Sequence, residues 1–270
     1  GLKYLEESLD LGILENNQIK IEFAKSCICA FNYIPHGNLD SAYQMSKESL
    51  LVAQDSGDIF LKGTANSSYG ISCYCKGLFG EAENSLLKAF SFYKKTAQFG
   101  WGTWVCGFLG HVYSDMGEYK IAQDYYKEGV SILEPSRAWV NMWKISIARS
   151  KVLSNDKNID IDEVFEYYKE LNVKAYQGWA ARYIGEIFLN IDDHHISEAE
   201  DWIKKAIEVD KKNSTIWSLG SNYAYYAKLF RRRGDLTRFK QNLKKAIEIF
   251  KECGARGWAK KYEQELVTFS

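Results

Sequence analysis

Proline is nearly absent from this chain, with two in 270 residues, Pro35 and Pro135. Proline removes an amide donor and clashes with the preceding turn, so its scarcity leaves room for long helices. No stretch reaches the run of about 18 apolar residues that a membrane-crossing helix needs. The opening GLKYLEESLDLG does not read as a secretory leader, because charges break its apolar residues apart. Neither sign of charge is in excess: 35 basic residues face 35 acidic ones. That balance excludes the basic footprint of a nucleic-acid binder.

Sequence signatures of chemistry are also missing. There is no phosphate loop ending in Gly-Lys-Ser or Gly-Lys-Thr, no His-Glu-x-x-His and no nucleophile elbow. Gly100-Trp101-Gly102 follows no strand and has its third glycine misplaced, so it is not a dinucleotide fingerprint. Histidine occurs four times, twice in the single run Asp192-Asp193-His194-His195. Neighbouring loop residues rarely all face one ion, so that run reads as a solvated turn in which Asp192 or Ser197 caps the next helix. Six cysteines are too few for a disulfide framework. Cys27 and Cys29, like Cys73 and Cys75, diverge by roughly 200° on a helix and cannot chelate together. The reading is buried free thiols in a cytoplasmic protein that is not an enzyme and uses no metal or cofactor.

What the chain does have is a period. Gly110, Tyr113, Gly117, Ala122 and Gly129 recur forty residues earlier as Gly70, Cys73, Gly77, Ala82 and Ala89. The same spacing holds at Ala30, Tyr33, Gly37, Ala42 and Ser49, and returns at Ala227, Phe230, Gly234, Phe239 and Ala246. From Gly117 to Gly234 is 117 residues, or three periods of 39. Small residues let two helices approach, the aromatic sits one turn further along, and the turn glycine takes a positive φ without steric cost. One such hairpin buries only part of its apolar surface, so neighbours must stack. The prediction is all-α, a right-handed α-solenoid of antiparallel helical hairpins occupying residues 1–270 as a single domain.

Its units run over approximately 18–57, 58–98, 101–134, 137–173, 176–211 and 214–253, with a capping helix at 255–268. Residues 1–15 read as a partial repeat, the second helix of a hairpin cut from a longer array, with Gly12 as its stop. Asn38 or Asp40 can cap the helix that follows the first turn. Gly100 ends the second unit and Pro135 closes the third. The fourth unit lacks a turn glycine in Ser154–Asp160. The fifth carries about two extra residues, since Ala199 stands fourteen after Gly185 rather than twelve. Arg231-Arg232-Arg233 ends a helix, where cations complement the macrodipole, and reads as structural.

These residues resemble the tetratricopeptide repeat family, in a long variant of about 40 residues rather than 34. The variant is similar to arrays in bacterial signal-transduction and cyclase-linked ATPases, where they serve as sensors or scaffolds. The departures are Cys73 at an aromatic position, Phe239 at a small one and the missing glycine of the fourth unit. The resemblance implies a concave groove lined by the first helix of each hairpin. Projected from the register, its candidate partner-binding residues are Ser67, Tyr74, Trp104, His111, Trp179, Arg182, Glu186, Lys228 and Arg231, aromatic in the middle and basic at the C-terminal end. The implied function is a protein-interaction scaffold or sensor for a peptide or protein segment, with no nucleic-acid or membrane partner. The alternatives are self-association or intramolecular regulatory docking, and, further off, a small-molecule receptor or enzyme.

Overall fold

The computed structural model describes residues 1–96, 99–132 and 137–269, leaving the side chains at 99–101 and 137–139 undescribed. Pro135 and the side chains of Gly100, Trp101 and Trp139 therefore lie outside the described residues. The described residues form helices and no strand. In order they are α1 (Leu2–Leu14), α2 (Gln18–Ile28) continued by a π-helical turn (Cys29–Tyr33), α3 (Leu39–Asp55), α4 (Ile59–Lys76), α5 (Phe79–Thr96), α6 (Phe99–Asp115) and α7 (Tyr119–Ile132). There follow α8 (Arg137–Leu153), α9 (Ile161–Lys169), α10 (Lys174–Ile191), α11 (Ile196–Asn213), α12 (Ile216–Arg232), α13 (Leu236–Glu252) and α14 (Arg256–Thr268). Consecutive helices pair as antiparallel hairpins, the arrangement of a helical solenoid.

The turns explain the period. Gly37, Gly77, Gly117 and Gly234 all adopt φ between 75° and 88°. At each, the amide just past the glycine donates to the carbonyl five residues back, which belongs to Tyr33, Cys73, Tyr113 or Phe230. The glycine amide itself donates three residues back. This is the double hydrogen bond that closes a helix through a left-handed residue. The repeat's aromatic position thus stands one turn before the closure. Cys73 fits there because the closure uses its backbone, not its side chain. In the fourth unit Asn155, at φ 69°, does what the missing glycine does elsewhere, and Asp156 donates to the carbonyl of Lys151 at 2.9 Å.

The small residues act as sockets. A Cβ added at Gly70 would stand 2.7 Å from Leu86, at Gly110 2.4 Å from Tyr126, and at Gly185 2.8 Å from Ile203. Each intruding side chain lies four residues past the alanine of the second helix, Ala82, Ala122 or Ala199. The extra residues of the fifth unit fall in the turn at Asp192–His195 and leave this packing intact.

Several boundaries differ from expectation. Gly12 does not stop α1, which runs on to Leu14; the glycine is buried against Ile21 of the next helix. Asn38 makes no side-chain cap bond, and Asp40 instead pairs with Lys76. Gly100 lies within α6 rather than ending the helix before it. Asp192 does accept the amides of His194 and His195, at 2.8 and 3.2 Å, but α11 begins beyond them without a side-chain cap bond.

The array also closes on itself. Trp217 Nε1 donates to the carbonyl of Cys75 at 2.9 Å, and Trp258 Nε1 to that of Tyr74 at 3.0 Å. The amide of Ile216 donates to Pro35 at 2.8 Å, and Lys76 Nζ to Gly254 at 2.9 Å. The C-terminal end of α4 is thereby sealed against α12 and the α13–α14 turn. A Cβ at Gly77 would stand 2.6 Å from the amide nitrogen of Trp258, so only glycine allows so close an approach there.

Candidate binding site

The first helices α4, α6, α8, α10 and α12 bring the rings of Tyr74, His111, Trp143, Trp179 and Trp217 together along one axis. Closure of the array fills that axis. His111 is fully buried and stacks on Trp179 with ring centroids 4.5 Å apart. Tyr74, Trp143 and Tyr183 surround it, at 6.1, 5.5 and 5.9 Å. Its Nδ1 meets the hydroxyls of Tyr126 at 2.7 Å and Tyr183 at 3.1 Å. Desolvation, reinforced by the charges of Arg149 and Arg182, holds its pKa well below the ordinary imidazole value, so the ring is neutral.

Of the nine residues projected onto the groove, seven are buried: Ser67, Tyr74, Trp104, His111, Trp179, Arg182 and Glu186. Lys228 is half-buried and Arg231 exposed. The open channel expected along the first helices is in its middle an aromatic plug. Its physical cause is Trp217 and Trp258, which no projection from a single unit takes into account. Trp104 and Trp179 instead border a small apolar cavity of about 50 Å³ at one end of the plug, shared with Phe31, Phe108 and Trp217.

At the opposite end, near the turns, lies an open cavity of about 660 Å³. Arg149, Lys228, Arg231, Arg232 and Lys261 reach it, with Asp115 the one carboxylate in its lining. Asp115 accepts a hydrogen bond from Tyr74 at 2.8 Å. The floor is a buried ionic cluster. Glu186, fully buried, accepts from Arg149 Nε at 2.5 Å and from Arg182 Nη1 at 2.6 Å. Arg149 also donates to Ser114 at 2.7 Å and to Tyr225 at 3.0 Å. Burial is the largest influence and works against the charge of Arg149, but Glu186, Tyr225, Tyr183 and Asp115 together outweigh it and hold the guanidinium above its ordinary range.

Around the rim the three consecutive arginines diverge. Arg231 pairs with Glu265 at 2.7 Å, Arg232 with Asp193 at 2.5 Å and Arg233 with Glu200. Each bridges α12 to a different neighbour, in keeping with the structural reading of that run. Lys228 and Lys261 make no ion pair among the described residues. Lys228 lies over the ring of Tyr225 at 4.2 Å, and desolvation lowers its pKa. Lys261 lies 5.0 Å from the ring of Trp258. Sequence reasoning found Lys228 and Arg231 but missed Arg149, Tyr225 and Lys261. The turn would have found Arg149: it stands six residues before Asn155, as His111 stands six before Gly117, in a unit too degenerate to project. All six cysteines are buried and unpaired, and no metal-binding cluster of His, Cys, Asp or Glu occurs among the described residues.

Residues 105–132, within α6 and α7, match the family model for the tetratricopeptide repeat. The chain carries a tetratricopeptide repeat. No curated protein matches it. Among solved structures, the apo form of RapI superposes with a TM-score of 0.66 at 11% identity, over 93% of this chain and 98% of that one. A Rap protein complexed with competence and sporulation factor gives 0.61 at 12%, over 96% and 78%. Aspartyl phosphate phosphatase F from Bacillus subtilis gives 0.61 at 14%, over 92% and 64%. At these identities the likeness is one of fold, a tetratricopeptide-type helical solenoid.

Proposed function

We propose that the chain is a protein-interaction scaffold that takes a peptide or protein segment at the basic mouth of its inner face, as a binding module without a catalytic step of its own. The observation that carries this reading is the cavity of about 660 Å³, which opens beside an axis filled in its middle by aromatic rings. Lys228 and Arg231 reach it, and both lie on the face where the repeat register points. Arginine and aromatic side chains are common anchors for segments held in a groove, and Arg231 and Tyr225 offer both here. The acidic groups close by are engaged structurally, Asp115 with Tyr74 and Glu186 with two guanidinium groups. A relative of the same fold, solved with competence and sporulation factor bound, supports the idea that such a scaffold accommodates a second molecule.

The test is affinity capture on the whole chain, followed by titration of the captured protein against wild type, Lys228→Glu and Arg231→Glu. A loss of about tenfold or more in both variants, with unchanged thermal midpoints, supports the site, since truncating an anchor of this kind costs well over 1 kcal/mol. Wild-type affinity in both overturns it.

A further inference from the structure

The basic side chains that reach the cavity outnumber the one carboxylate in its lining. Arg231 and Arg232 are neutralised by Glu265 and Asp193. Behind the floor, Arg149 and Arg182 bind the carboxylate of Glu186, and the charge of Asp210 also acts on Arg182. Facing the cavity, Lys228 and Lys261 have no ion-pair partner among the described residues, and Asp115 is the one carboxylate in the lining.

Hydrogen-bond donors are in surplus as well. Ser114 and Tyr225 each accept a bond from Arg149 through the hydroxyl oxygen, so each O–H proton is free to donate. Both residues line the cavity, as do the two lysines with three donors each. Asn190 donates one of its two amide N–H groups to the carbonyl of Glu186 at 2.7 Å. A site with unused donors, and with two unpaired ammonium groups against one lining carboxylate, selects an anion.

We infer that this cavity binds a phosphate monoester, with the phosphoryl oxygens between Lys228 and Lys261 and the hydroxyls of Ser114 and Tyr225, and the organic part of the ligand in the remaining volume. A carboxylate supplies one negative charge; a phosphate monoester supplies close to two at neutral pH and three acceptor oxygens. At about 660 Å³ the cavity exceeds what a bare phosphate occupies, leaving room for an organic substituent. Arg149 is held in place by Glu186, Ser114 and Tyr225, so its charge faces the site without reorganisation. This inference deepens the proposed function, since it rests on the same mouth being where a ligand is met.

Calorimetric titration of the full chain with phenyl phosphate, inorganic phosphate and benzoate at low ionic strength tests it. Phenyl phosphate should bind at least about tenfold more tightly than benzoate, which has the same ring and half the charge. Lys228→Met and Lys261→Met keep the apolar stem and should each lose about tenfold, whereas Asp115→Asn, which removes the opposing charge, should bind more tightly than wild type. That opposite response cannot come from a loss of fold. Equal affinity for phenyl phosphate and benzoate, no binding of either phosphate, or lysine variants that bind like wild type would overturn the inference. The titration needs no peptide: if the phosphates fail while a captured partner still responds to Lys228→Glu and Arg231→Glu, only the phosphate inference falls. If the phosphates bind while the partner ignores both variants, only the peptide reading does.

Discussion

Trp258 donates its indole N–H to the carbonyl oxygen of Tyr74 at 3.0 Å, joining residues 184 positions apart. A linear array has no such bond, because its units touch only their neighbours. Trp258→Phe keeps most of the ring and removes this donor, while the Tyr74 carbonyl keeps the amide of Gly77. The loss of one hydrogen bond should lower stability by about 0.5–1.5 kcal/mol. Urea unfolding followed by circular dichroism checks the value, and a variant as stable as wild type would show that the seam contributes nothing.

Glu186 holds two buried guanidinium groups, so removing its charge strands both. Glu186→Gln should cost about 3–5 kcal/mol, the usual result of breaking a buried ion pair from one side. Replacing the whole cluster by apolar residues of similar volume should cost much less. Comparing the single variant with the triple variant Arg149→Met, Arg182→Met and Glu186→Leu separates the two effects.

Two glycines of α6 should respond oppositely to the same change. A Cβ at Gly110 meets the ring of Tyr126, which is fully buried and bonded to His111. Gly110→Ala should therefore destabilise by about 1–3 kcal/mol through overpacking. At Gly102 the nearest atom stands at an ordinary 3.6 Å. Gly102→Ala should stabilise by up to about 1 kcal/mol through helix propensity. Thermal melts of the two variants give the signs directly.

His111 makes stability depend on pH. Its folded-state pKa lies well below the ordinary 6.5, through desolvation and then the charges of Arg149 and Arg182. The unfolded chain binds the proton more readily, so this contribution is complete above pH 6.5 and is lost as pH falls below it. The slope should approach about 1.4 kcal/mol per pH unit before the carboxylates begin to titrate. Urea midpoints between pH 8 and pH 5 should show that fall in wild type and a flatter line in His111→Gln; parallel lines would assign the loss to other groups.

Local order was legible in the sequence to the degree that one turn determines it. The spacing of Tyr113 and Gly117 is that of a helix closed through a left-handed residue, so a short stretch carries its own geometry. Even Cys73 and Asn155, which break the residue pattern, keep the backbone pattern. The helical solenoid follows from this repetition. The filled axis does not. Whether Trp179 faces solvent or another ring depends on how far the array curves, and curvature is the sum of small rotations at every interface. Trp217 and Trp258 meet α4 only after that sum is complete, so no single unit records the meeting. The same holds for the basic cavity, where Arg149, Lys228 and Lys261 come from three separate helices, α8, α12 and α14.

The seam also sets an order of events during synthesis. Hairpins α4–α5 and α6–α7 contain most of their local contacts and can form while the chain is still emerging. The carbonyls of Tyr74 and Cys75 must nevertheless wait for partners that lie beyond residue 216, and loop closure over such distances is slow. Until those residues arrive, the face of α4 that will meet the two tryptophans remains uncovered. The last hairpin and the helix that caps it thus act as the latch of a folding unit that a truncated chain would leave ajar.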